Sequence, residues 1–204
     1  MMQLYEDNRA PNPRRVRIFL AEKGVEVERR HIDIMSGEHK APEMLAMNPS
    51  ARVPFLVLDD GSVIAETVAI CRYIDALHPE PPLFGAGARE SAVVEMWQRQ
   101  IENDLLVPVM QTFRHTNPKM AVLESPQVPA WGEINRGRVE AMLDRLDQRL
   151  AGAPYVAGDR FTIADITALC TVDFMRVARF AIGPKRPALA RWHEGVSARP
   201  SARA

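Results

Sequence analysis

VPFLVLDDGSVIAETVAICRYIDALHP, residues 53–79, is the stretch that decides the fold. An apolar strand from Phe55 to Leu58 runs into Asp59-Asp60-Gly61, a second short strand covers Ser62 to Ala65, and Glu66-Thr67 opens an amphipathic helix. Asp-Gly between two apolar runs signals a hairpin, because such a turn needs positive φ. Pro54 has no amide hydrogen to give a ladder, so it belongs at a strand start. A cis bond before it would kink the chain and leave the polar backbone of Val53 unpaired. A carboxylate and a hydroxyl at a helix N-terminus, beside an open strand edge, suit a small zwitterionic peptide.

Upstream, Gln3 to Tyr5 reads as a short strand and about Pro13 to Lys23 as a helix with Val16, Phe19 and Leu20 on one face. Gly24 suits a left-handed C-terminal cap. Val27 to Asp33 reads as a weakly alternating edge strand, followed by a polar loop at Ser36 to Lys40 and a helical turn near Pro42 to Ala46. The resulting order β-α-β-α-β-β-α is that of a thioredoxin-like domain over residues 1–79. The proline-dense segment at 80–85 makes a stiff linker.

Strand signals vanish over 86–204. Trp97, Ile101 and Leu105 mark the buried face of a long helix from Glu90 to Thr116, with a kink at Pro108. Val139, Leu143, Leu146 and Leu150 mark another over 131–151, and further helices cover Thr162 to about Phe180 and Pro187 to Ala198. Thr162-Ile163-Ala164-Asp165 is a capping box with a structural role. The fold class is therefore α+β in two domains, thioredoxin-like and then all-helical.

Composition narrows the function. Lys plus Arg number 26 and Asp plus Glu number 26, so no domain-wide positive field recruits nucleic acid or an anionic membrane. There is no run of 18 apolar residues and no charged leader followed by an apolar core, which sets the expectation of a cytoplasmic protein. Cys71 and Cys170 lie in apolar helical patterns and read as buried thiols. Neither they nor the five histidines show metal-ligand spacing, so no metal is expected.

The Val53-Pro54 and Glu66-Thr67 constellation resembles the glutathione S-transferase family, and the resemblance spans the chain. GDRFTIADI, ending at Ile166, is similar to that family's buried folding motif. The resemblance implies that Val53, before a cis Pro54, pairs with the cysteinyl backbone of glutathione, while Glu66 and Thr67 hold the γ-glutamyl end. It also implies that His39, Lys40 and Arg52 reach the glycine carboxylate and the cysteinyl backbone. For Lys40 an ordinary charged loop is the competing reading.

Glutathione reacts as a thiolate. A thiol of ordinary pKa is only ~3 % ionised at pH 7, and lowering that pKa by about two units requires ~2.7 kcal/mol of preferential stabilisation of the anion. Family members commonly use Tyr, Ser or Cys, but Ala10 stands where many have Ser. Asn12 is the best remaining donor, as in some bacterial members. A helix N-cap is its competing role. Tyr5 and backbone amides are the alternatives. Arg14, Arg15 and Arg17 are expected to form a solvated helix face, with holding an acidic second substrate as their competing role.

The implied activity is a glutathione transferase acting in detoxification, with glutathione as co-substrate. Its thiolate would attack an electrophile or a disulfide, and peroxide reduction is a further possibility. A homodimer is implied. The alternative is a non-catalytic transferase-like binding protein. The second-substrate pocket is expected between the domains, with Trp97, Met110, Phe113 and Met175 as candidate walls and core packing as their competing role.

Overall fold

A computed structural model describes residues 2–204. The described residues divide into two compact units, one of residues 2–82 with 203–204 and the other of Leu83–Ala202.

In the first unit the elements are β1 (Gln3–Glu6), α1 (Pro11–Lys23), β2 (Glu28–His31), α2 (Pro42–Met47), β3 (Phe55–Val57), β4 (Val63–Ala65) and α3 (Thr67–Leu77), with one 3-10 turn at Glu38–Lys40 before α2. The sheet order is β2-β1-β3-β4; β2 runs parallel to β1, and β3 is antiparallel to both β1 and β4. This is the thioredoxin-like order. The hairpin turns where expected: Leu58 N–H donates to Ser62 O, Gly61 has φ +84°, and the Asp60 carboxylate accepts from the amide and hydroxyl of Ser62. Gly24 caps α1 in the left-handed region at φ +65°.

Several bounds differ from the sequence reading. β2 is shorter than Val27 to Asp33, because its residues are exposed at the sheet edge and only four pair with β1. α1 begins at Pro11, two residues early, since two prolines fit a first turn whose N–H groups lack helical partners.

The arginines of α1 require a larger correction. Every residue from Arg15 to Leu20 is buried, so Arg15 and Arg17 belong to no solvated face, and Arg14 is only part-exposed. A charge in such a place must be paired. Arg17 meets Glu6 at 2.6 Å, with both side chains under a tenth exposed, and Arg15 donates to Asn12.

The proline segment is held at its start by Lys23. Its ammonium donates to the carbonyls of Pro79 (3.1 Å) and Pro81 (2.5 Å) and lies 2.6 Å from Asp75 Oδ1, as an ion pair without hydrogen-bond geometry.

The second unit holds α4 (Gly87–Ile101), α5 (Val107–Thr116), α6 (Pro129–Ala151), α7 (Ile163–Phe174) and α8 (Pro187–Ser197). The expected long helix is interrupted by a π-helical stretch at Glu102–Leu106, one turn ahead of Pro108, which cannot donate to the carbonyl four residues back. Gly132 lets α6 approach α5, for a Cβ there would stand 2.5 Å from Thr116 Cγ2. α7 is the central helix, buried from Ile163 to Val172. It ends at Phe174 rather than Phe180; a 3-10 turn follows and closes at Arg179 with φ +63°. Cys71 and Cys170 are buried and not joined in a disulfide. No helix among the described residues is long and apolar enough to cross a membrane.

Asp165 organises the start of α7. Its Oδ2 accepts from the Thr162 amide and hydroxyl, and its Oδ1 accepts from Val156 N–H and Trp192 Nε1. Burial pushes its carboxyl up to about 6 against the opposing pull of those donors.

Candidate functional site

A cleft in the first unit is lined by Asn12, Asn48, Ser50, Arg52, Val53, Pro54, Ala65, Glu66 and Thr67. Four segments meet there. The start of α1 supplies Asn12, the loop before β3 supplies Asn48 to Pro54, the end of β4 supplies Ala65, and the start of α3 supplies Glu66 and Thr67.

At the loop, the Val53–Pro54 bond is cis. Among the described residues no hydrogen bond engages the amide or carbonyl of Val53, because β3 pairing begins at Phe55. At α3, Glu66 is the N-cap with φ +71° and ψ 125°, and its side chain does not cap the helix. Its carboxylate is exposed. The first backbone bond of the helix runs from Ile70 N–H to Glu66 O, so the N–H groups of Thr67, Val68 and Ala69 stay open at the positive end of the helix dipole. The strained backbone of Glu66 holds a carboxylate next to those donors; strain of this kind concentrates at binding sites.

At α1, the N-cap is Ala10, which makes no side-chain cap. Asn12 is therefore not the N-cap but a first-turn residue. With prolines on either side of it, Asn12 carries the only N–H among the first three helical residues. Its Oδ1 accepts from Arg15 Nη1 at 3.1 Å. A guanidinium only donates, so the amide oxygen must face Arg15, and the Nδ2 group is turned away from it.

The other expected residues fall elsewhere. His39 is buried in the 3-10 turn with no partner for Nδ1, and Lys40 is exposed beside it; neither lines the cleft. Burial, helped by the Lys40 charge, lowers the His39 pKa, so His39 is neutral near pH 7 and offers no cation there. Tyr5 stacks on Phe55 with ring centroids 4.6 Å apart, its hydroxyl directed to Gln3, and it does not line the cleft. In the second unit Trp97 and Met175 are core residues, while Phe113 and Met110 are part-exposed and Phe113 meets Phe174 edge-on.

Sequence reasoning missed Asn48 and Ser50. Asn-Pro-Ser reads as ordinary turn chemistry, and only the closed loop shows that it borders the cleft.

A sheet of this order with a helix-start cleft, followed by an all-helical unit, is a thioredoxin-like domain joined to a helical one. Residues 10–77 match the family model "Glutathione S-transferase, N-terminal domain", and residues 106–200 match "Glutathione S-transferase, C-terminal domain". The chain is 39% identical over 203 residues to Glutathione S-transferase 2 of Saccharomyces cerevisiae, covering 98% of this chain and 87% of that protein. The crystal structure of Gtt2 from Saccharomyces cerevisiae superposes with a TM-score of 0.94 at 39% identity, covering 98% of each chain. A glutathione S-transferase domain-containing protein of Marinobacter aquaeolei gives 0.94 at 40% identity with the same coverage. The chain belongs to the glutathione S-transferase family.

Proposed function

We propose that this glutathione S-transferase binds glutathione along the cleft of its first unit and directs the thiolate to an electrophilic or disulfide second substrate. The observation that carries the reading is the convergence on one cleft of the unengaged Val53 backbone, the Glu66 carboxylate, the open N–H groups at the start of α3, and Asn12. Each has a counterpart on the tripeptide. The α-amino group meets Glu66, and the α-carboxylate meets the α3 N-terminus and the Thr67 hydroxyl. The cysteinyl amide pairs with Val53 as a short strand would. Arg52 serves the glycine carboxylate, with Lys40 further out and His39 as a neutral hydrogen-bonding group.

The sulfur lies toward α1. There Asn12 presents its Nδ2 group and its own N–H, and the helix dipole adds positive potential. Together these stabilise the thiolate without the usual Ser, Tyr or Cys. The same reading gives a cytoplasmic, homodimeric enzyme of detoxification, with disulfide or peroxide reduction alongside conjugation. A purely binding role is not favoured, since the chain keeps a full set of donors and acceptors for the tripeptide.

The test is equilibrium binding of glutathione by calorimetry, with absorbance of the bound thiolate near 240 nm read across pH. Binding with a thiol pKa below the ordinary value of about 8.5 supports the reading. No binding by the wild-type chain, or unchanged affinity in both Glu66→Ala and Thr67→Ala, overturns it.

A further inference from the structure

We infer that Asn48 is a positioning residue for glutathione: by holding the Arg52 carbonyl it turns the Val53 N–H toward the ligand. The inference rests on the glutathione reading above and adds a residue whose side-chain polar atoms are used within its own loop.

Asn48 ends α2 and is only 5% exposed. Its N–H donates back to Met44 O at 2.8 Å, while its side chain and its carbonyl are used on the next four residues. Its Oδ1 accepts from the hydroxyl of Ser50 at 2.8 Å and the amide of Ser50 at 3.3 Å, and its backbone carbonyl accepts from Ala51 N–H. Its Nδ2 donates to Arg52 O at 2.8 Å. Ala51, between these anchors, sits at φ +51°, a conformation that a residue with a Cβ enters at a cost.

The Nδ2 bond has a stereochemical consequence. The Arg52 carbonyl and the Val53 N–H belong to one planar peptide unit, and that unit is trans. In a trans peptide the C=O and N–H vectors point in opposite directions. Pinning the carbonyl onto Asn48 therefore aims the Val53 N–H the other way. That N–H has no partner among the described residues, and it would meet the cysteinyl carbonyl of glutathione. Without Asn48 the peptide plane can rotate, and the donor's direction is lost before binding begins. A preorganised donor spares the ligand that ordering cost.

The test uses the full chain and two ligands. Glutathione has the cysteinyl carbonyl; γ-glutamyl-ethylamide keeps the γ-glutamyl head but has nothing for Val53. Asn48→Asp keeps the acceptor toward Ser50 and replaces the donor toward Arg52 O by a repelling oxygen. Asn48→Ser is the second variant, too short to reach Arg52 O, should the first not fold. The expected result is about tenfold weaker glutathione binding, with the γ-glutamyl-ethylamide dissociation constant, titrated by ligand-observed NMR, within twofold of wild type. The Val53 amide resonance should also lose its glutathione-induced shift. Equal weakening of both ligands, or no weakening of either, overturns the inference. A wild-type chain that fails to bind glutathione overturns the underlying reading as well, and that result is seen before any variant is compared.

Discussion

Arg15 Nη1 donates to Asn12 Oδ1 at 3.1 Å across one turn of α1, from a side chain that is almost wholly buried. The bond sets which face of the asparagine amide is available. Asn12→Ala is expected to raise the pKa of bound glutathione by about one unit, the effect of one hydrogen bond to a charged group. Arg15→Met, which frees the amide to rotate, is expected to raise it by a smaller amount with the same sign. Absorbance of the bound thiolate across pH measures both. An unaltered pKa in Asn12→Ala removes that residue from sulfur activation.

Glu66 offers a way to separate binding from stability. Its backbone lies at φ +71°, where a side chain is strained by about 1–3 kcal/mol. Glu66→Gly relieves that strain while raising unfolded-chain entropy by up to about 1 kcal/mol. The variant is expected to melt at or above the wild-type temperature and yet bind glutathione at least tenfold more weakly. Differential scanning fluorimetry paired with calorimetry gives both readouts. A lower melting temperature with intact binding would contradict the assignment.

The buried pair of Arg17 and Glu6 joins the end of β1 to the middle of α1 at 2.6 Å. Such pairs contribute modestly when intact, but breaking one strands a charge. Glu6→Ala is expected to cost about 3 kcal/mol, and urea unfolding measures it. A joint change to Glu6→Leu and Arg17→Met should recover most of the loss, because no buried charge is then left unpaired and Arg29, which also pairs with Glu6, is exposed. Equal destabilisation in the single and double variants would refute this account.

Asp165 predicts a pH signature. Its folded pKa of about 6 lies above the ordinary 3.8, so between those values the folded chain binds more protons than the unfolded one. Stability from this group is therefore fully present below pH about 4 and declines as pH rises through 6, by about 3 kcal/mol in all. Asp165→Asn lacks the titration and cannot accept at both positions, so it is less stable throughout. The gap between wild type and variant is expected to narrow from pH 4 to pH 6.5, measured as the difference in urea midpoints. A gap that widens over this range would show that the donors around the carboxylate outweigh its burial.

Much of the first unit was legible because its signals are local. Asp60-Gly61 turns the hairpin through a positive φ that glycine supplies, Gly24 stops α1 by the same means, and the apolar run Phe55 to Val57 needs only its neighbours to become a strand. Glu66 and Thr67 were legible for a related reason: a helix start exposes N–H groups wherever it occurs. The α1 arginines were not legible. Their spacing fits a solvated face as well as an interior one, and Glu6 is 11 residues before the arginine it pairs with.

The amino-acid sequence by itself determined the order of elements, the two-part organisation and the chemical types available to the cleft, since these depend on backbone preferences and apolar periodicity over a few residues. Tertiary structure alone decided which donors face one another. It buried α1 from Arg15 to Leu20 and so turned Arg15 and Arg17 inward. It kept His39 and Tyr5 out of the cleft lining. Those outcomes depend on which remote surfaces meet when the chain packs, and no run of neighbouring residues encodes that meeting.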